Sequence, residues 1–336
     1  MAKNEARHHH HIPQYYLRGF ATGSGAKARV TVAALKAQNF FETNPRNIGG
    51  EKDFLRIDIE GYAPDSLEKA MADFDAQGAA AIKNVSKSHS FEGDDRIMIL
   101  NLIALFAVRS PQMRENWRQF QERIMKMTMS MTLSTKDRWE SQVRKMKVAG
   151  IEISEDVTYE QLKEFHERGE YDITMNREWH IGLELKGFDA VLRALADRKW
   201  RLYVAEEKNG PFVTSDRPVV LTWNHPQKIP VMMRNSPGFG MPDTEVYFPL
   251  THRMTLVGAF EDEKEGTHPA EMPMIAIANT RMIEHAFEQL YTTNKTFPYI
   301  APSFNIYQDA LFMERFAAER KRRDADEKAI SDTLAK

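Results

Sequence analysis

Trp200-Arg-Leu-Tyr-Val-Ala205 is where the chain changes period. Trp200, Leu202 and Val204 alternate with Arg201 and Tyr203, the two-residue repeat of a strand. Upstream, from Asp65 to about 200, apolar residues recur every three or four positions, which is the helical repeat. Downstream, Phe212-Val-Thr, Pro218-Val-Val-Leu-Thr-Trp223, Glu245 to Leu250 and Met254 to Phe260 are short and β-rich. The last two read as an antiparallel pair joined across Thr251-His252-Arg253. Helices and strands gathered into separate runs predict an α+β fold, a large helical block on a small, mostly antiparallel sheet.

Within the helical block, Asp65 or Ser66 caps a helix whose apolar face is Leu67, Ala70, Met71, Phe74 and Ala81. Asp94 or Asp95 caps an apolar helix through Val108, which Pro111 ends. Trp117, Phe120, Ile124, Met127 and Met131 mark another helix. Met125, Met127, Met129 and Met131 read as packing, or as an adaptable partner surface. Thr158-Tyr-Glu-Gln161 is a capping box, and a further helix spans about 177–197. Before the block, residues 8–20 read as an extended entry and a short helical turn anchored by Tyr15, Tyr16, Leu17 and Phe20. Arg29 to Leu35 reads as a strand and Thr43 to Asp53 as a loop. After the sheet, 276–293 is a closing helix. One domain is expected over 1–300, with a helical block at about 65–198 and a sheet block at about 200–260. Residues 301–336 are expected to be a charged helical tail, in which acids cancel the basic Arg320-Lys-Arg-Arg323.

Composition narrows the classes. The 336 residues carry 46 Lys and Arg against 48 Asp and Glu, a net charge of −2, so no global basic field argues for nucleic acid. There is no cysteine, which removes disulfides, thiolate metal sites and a thiol nucleophile. The polar start Met1 to Arg7 is unlike a secretory signal. The longest apolar run, Ile97 to Val108, is shorter than the roughly 20 residues of a membrane span. A cytoplasmic protein without a membrane segment is expected. The run His8 to His11 leads directly into core-like Ile12-Pro13 and reads as part of the chain. Phosphate-loop, dinucleotide, zinc-peptidase and nucleophile-elbow motifs are absent. His166, His180, His225, His252, His268 and His285 are scattered without ligand spacing, so no metal or cofactor is specified.

Four constellations carry chemistry. His10-His11-Ile-Pro-Gln14-Tyr-Tyr-Leu17 offers imidazoles for proton transfer or ligation, or simply docks the leader. Arg109-Ser-Pro-Gln-Met-Arg114 places guanidinium groups at the end of an apolar helix, as an anion clamp or as a locked helix corner. Thr214-Ser215-Asp216, between two β-branched runs, puts a hydroxyl and a carboxylate at a strand end, for function or as a local turn. Asn279, early in the closing helix, binds a ligand or caps.

In this order the motifs resemble the bacterial family called domain of unknown function 4238. Its members open with His-(Tyr/His)-x-Pro-Gln-x-Tyr-Leu-x-x-Phe, here His10 to Phe20. The resemblance extends over Leu67-Glu68 to Asp75, Arg109 to Arg114, the Trp200 strand, Thr214 to Val219, Phe248-Pro249-Leu250 and Asn279. It spans about 8–295. His11 stands where an aromatic is usual and Arg217 where asparagine is frequent. The resemblance implies one fold unit with one shared pocket, and no reaction.

The residues themselves suggest a hydrolase on a phosphorylated or nucleic-acid-type substrate, with a defence or toxin effector as one setting. Its catalytic groups would be His10 and Asp216, with Gln14, Arg109, Arg114, Ser215 and Asn279 binding the substrate. The alternative is a non-catalytic module for an anionic small molecule or peptide. A third reading makes the motifs structural joints. The hydrolase requires the histidine leader, the arginine corner and the Asp216 turn to meet.

Overall fold

A computed structural model describes residues 8–57, 60–61, 63–151, 157–234, 237–261, 264–317, 321 and 325. The start Met1 to Arg7 lies outside the described residues, as does the basic run at 320–323 apart from Lys321. The fold is α+β. The chain divides into two compact units, Met1–Ser110 with Leu183–Lys336, and Pro111–Gly182.

The first unit opens with strand β1 (His8–His10) and the four-residue helix α1 (Gln14–Leu17). Pro13, at ψ 144°, holds the chain extended until the helical turn starts. Strands β2 (Val30–Ala34), β3 (Asn39–Thr43) and β4 (Gly50–Lys52) follow. β4 pairs antiparallel with β1, so part of the expected 43–53 loop is a strand. Helices α2 (Ser66–Ser88) and α3 (Gly93–Val108) come next. α3 buries residues around most of its circumference, as its apolar run, interrupted only by Asn101, requires.

In the second unit lie α4 (Pro111–Thr132), α5 (Lys136–Val148) and α6 (Tyr159–Arg168). Pro111 both ends α3 and opens α4, where its missing N–H costs nothing. The Thr158 capping box forms: Thr158 Oγ1 accepts the Gln161 N–H at 3.2 Å and Gln161 Oε1 accepts the Thr158 N–H at 2.9 Å. None of the three helices carries a fully buried residue. Helix α7 (Arg177–Ala196) runs across the boundary between the units.

The sheets of the first unit are completed by β5 (Lys199–Ala205), β6 (Thr214–Ser215), β7 (Val220–Trp223), β8 (Thr244–Thr251), β9 (Met254–Ala259) and β10 (Gly266–Ala270). Then come α8 (Met272–His285), β11 (Gln289–Thr292), β12 (Phe297–Ile300) and β13 (Ile306–Asp309). A five-stranded sheet has the order β10-β5-β9-β8-β7, and a four-stranded sheet the order β3-β2-β11-β6. All pairs are antiparallel except β10 with β5, which is parallel.

The five-stranded sheet is covered on both faces. Trp200, Leu202, Val246, Phe248 and Leu256 join the core that holds Tyr16, Leu17 and the apolar residues of α2 and α3. Tyr247 and Val257, the alternate residues, join a second core with α8, Phe297 and Phe312. Two-sided burial explains why β8 and β9 read as near-continuous apolar runs. Arg198 stitches the edge: its guanidinium donates to the carbonyls of Thr244, Gly258 and Phe239 and to Thr244 Oγ1.

Two expectations are corrected. The closing helix runs 272–285, not 276–293. At Ala286 the backbone leaves the helix (ψ 139°), and residues 289–292 enter the sheet. Residues 301–317 are not a solvated tail: β13 pairs with β12, residues 312–317 are helical, and Phe312, Met313 and Phe316 are buried.

Candidate functional site

The leader docks by a fully buried tyrosine. Tyr16 Oη donates to the Pro249 carbonyl at 2.7 Å and lies 2.8 Å from Thr214 Oγ1. With the tyrosine proton given to Pro249, Thr214 is the donor of the second bond. The Tyr16 ring stacks on Phe248 at 5.4 Å and meets Phe106 edge-on at 5.3 Å. One residue thus ties the leader to β6, β8 and α3. Burial holds its hydroxyl well above the usual tyrosine range.

The rest of the leader lies along α2. His9 is buried. Its Nδ1 accepts the Leu55 N–H at 3.0 Å, which leaves the proton on Nε2, 3.3 Å from Glu68 Oε2. Two turns further along α2 is Asp75. Tyr15 reaches over the same helix: a Cβ placed on Gly78 would sit 2.5 Å from Tyr15 Oη. A glycine inside a helix weakens it by about 1 kcal/mol relative to alanine, and here it makes room for the phenol.

Tyr15, Asp75 and Arg109 form one electrostatic group drawn from α1, α2 and the C-terminal cap of α3. Arg109 is only 5% exposed. Burial raises the Asp75 carboxyl above its ordinary range, and the Arg109 charge opposes the rise. Burial, helped by the charge of Asp75, raises the Tyr15 hydroxyl. Tyr15 Oη and Asp75 Oδ1 are buried atoms with no hydrogen-bond partner among the described residues. A donor and an acceptor are therefore left unmatched beside a guanidinium.

The other expected site residues stand as follows. His10 is half-buried in β1, with Nε2 3.2 Å from the Arg46 carbonyl. Gln14 is half-buried at the first position of α1. Asp216 accepts the N–H groups of Phe287, Glu288 and Gln289 at 2.8, 2.6 and 3.0 Å. Burial pushes its carboxyl up, against the pull of these donors. Ser215 is fully buried, and its Oγ accepts from the Arg217 N–H and donates to the Arg217 carbonyl, a local turn.

Asn279 sits in the middle of α8 rather than early in it. Its Oδ1 accepts the Val213 N–H, and its Nδ2 donates to the carbonyls of Pro211 and Pro298. Arg114 belongs to the second unit, where His180 is held below its usual range by burial first and by the Arg114 charge second.

The leader and the Asp216 strand do meet, at Tyr16 and Thr214. The Arg109 charge at the arginine corner acts on Tyr15 of the leader, lowering its hydroxyl against the larger effects of burial and Asp75. The known partners of His10, Arg109 and Asp216 nevertheless lie on different segments. The sequence marks Tyr15 only as an apolar anchor and Asp75 only as the end of a helical stretch, and neither as a site residue. The signal for them was Gly78, an isolated glycine in an otherwise regular helical pattern.

Among the described residues there is no cluster of three His, Asp or Glu able to hold a metal ion. No helix among them is long and apolar enough to cross a membrane. An α+β fold with a docked His-x-x-Pro-Gln leader defines the class of protein. The model of a family described as a protein of unknown function, domain of unknown function 4238, matches residues 8–296. The chain belongs to that family. No curated protein and no solved structure matches it.

Proposed function

We propose that the protein binds a small anionic ligand of the phosphoryl type at Arg109, Tyr15 and Asp75. The observation that carries this reading is the pairing of an unmatched buried donor, Tyr15 Oη, with an unmatched buried acceptor, Asp75 Oδ1, beside the Arg109 guanidinium. Buried polar atoms cost free energy until they are satisfied. A phosphoryl group meets both needs beside the Arg109 charge. Its ionised oxygens accept from Arg109 and Tyr15, and a protonated oxygen or neighbouring hydroxyl donates to Asp75. Asp216, Ser215 and Asn279 support this site as joints, since their polar atoms serve backbone groups.

A hydrolytic form of the same reading is favoured by the raised carboxyl of Asp75. Such a carboxyl keeps a proton to higher pH than an ordinary aspartate and can deliver it to a leaving oxygen. Arg109 would then stabilise the developing charge. Phosphorylated small molecules and nucleic-acid-type diesters are the substrates this chemistry suits.

The test uses the full chain with phenyl phosphate as ligand and bis(4-nitrophenyl) phosphate as reporter substrate. A rise in melting temperature with phenyl phosphate, lost in Arg109→Lys and in Tyr15→Phe, supports binding. Release of nitrophenol, lost in Asp75→Asn, adds turnover. No stabilisation by phenyl phosphate and no release of nitrophenol would sink the reading.

A further inference from the structure

Helix α4 leaves an apolar stripe open to solvent. Its charged residues form a ladder along one side: Arg118 binds Glu115 and Glu122, each at 2.8 Å, and Lys126 binds Glu122 at 2.7 Å. Of those side chains Glu122 is 16% exposed, while Arg118, Lys126 and Glu115 are open to solvent at 30%, 34% and 42%. The apolar side faces outward. Phe120 is 50%, Met127 52% and Met131 53% exposed, with Trp117 and Ile124 also open. A helix of a soluble unit normally turns such a stripe toward its core.

The open residues are spaced with purpose. Trp117, Phe120, Ile124, Met127 and Met131 advance by three, four, three and four positions. That is the 3.5-residue repeat by which one helix wraps another in a left-handed supercoil. The flanking positions of that repeat, Asn116, Gln121, Arg123, Thr128 and Ser130, include one charge only. Little like-charge repulsion therefore opposes the approach of an identical helix.

We propose that this seam pairs with α4 of a second copy of the chain. Side chains of this size bury about 150–250 Å² when fully covered, so the five expose roughly 450 Å² per copy and a twofold pair covers about 900 Å² before the flanks are counted, close to the lower bound of about 1,000 Å² for a specific interface. Neighbouring Met125, also exposed, extends the patch. Methionine suits a self-pairing surface because it adapts to an imperfect partner. This inference is independent of the ligand reading.

The experiment is sedimentation equilibrium on the full chain, with Ile124→Arg and Met127→Arg beside the wild type. Twice the chain mass is expected at micromolar concentration. Each arginine should weaken association at least about tenfold, the effect of roughly 1.4 kcal/mol, without changing the circular dichroism. A monomeric wild type would overturn the proposal, and so would a dimer that survives both substitutions. Binding of the monomer to anionic phospholipid vesicles through this face would overturn it in favour of a lipid surface.

A second measurement does not depend on tolerance of arginine. The chain has no cysteine, so Ile124→Cys introduces its only thiol. Oxidation should give a covalent species of doubled mass, and failure to form it refutes the pairing. Trp117→Cys and Met131→Cys crosslink as well if the helices run parallel, whereas only the central position does so if they run antiparallel.

Discussion

Removing the Asp216 carboxylate will destabilise the fold before it touches any chemistry. Its two oxygens hold three consecutive backbone N–H groups, those of Phe287, Glu288 and Gln289. They fix the chain just where α8 has ended and β11 begins. Hydrogen bonds to a charged group contribute about 1.5–3 kcal/mol each. Three that share one carboxylate do not add fully, and the site is only partly buried, so freed donors rehydrate in part. About 3 kcal/mol for Asp216→Ala is the resulting magnitude. Asp216→Asn keeps one acceptor oxygen but turns an NH₂ toward N–H donors, and about 2 kcal/mol follows. In urea, with a slope of about 3 kcal/mol per molar, the alanine variant should unfold about 1 M earlier. Circular dichroism against urea measures this directly. A midpoint within about 0.2 M of wild type would refute the structural role and return Asp216 to candidacy as a catalytic base.

Gly258→Ala should also be costly. A Cβ there would lie 2.8 Å from two atoms of the Trp200 ring, and that ring is buried and anchored by its Nε1–H donating to the Leu195 carbonyl at 2.8 Å. Overpacking of this kind costs roughly 2–3 kcal/mol; an unchanged denaturation midpoint would show that the ring yields freely. Asp75 sets a pH dependence. Its carboxyl binds a proton more tightly in the folded chain than in the unfolded one. Its contribution is therefore complete below the unfolded value of about 4 and is lost as pH rises through the higher folded value. Asp75→Asn should remove that decline, so melting curves of wild type and variant should diverge from acidic toward neutral pH. Parallel curves would refute the assignment.

Local pattern was enough for most elements. The alternation at Trp200–Ala205, the capping box at Thr158 and the hairpin across Thr251–Arg253 are each specified by neighbours within a few residues, and each formed as read. Two misreadings came from long range. Residues 289–293 have helical spacing, yet Asp216, more than 70 positions away, captures their backbone start and β2 and β6 flank the strand. Phe312 and Phe316 read as the edge of a solvated tail, yet they complete a core that does not exist until β12 and β13 pair.

What the sequence determined alone was the α+β class, the family and the residues with chemistry in their side chains, because periodicity and motif are local properties. Only the tertiary structure decided which polar atoms are satisfied within the fold and which are not. Asp216, Ser215 and Asn279 are used up by backbone groups. Tyr15 and Asp75, inconspicuous in one dimension, meet Arg109 in three. Hydrogen-bond satisfaction depends on every neighbour in space, and no spacing along the chain encodes it.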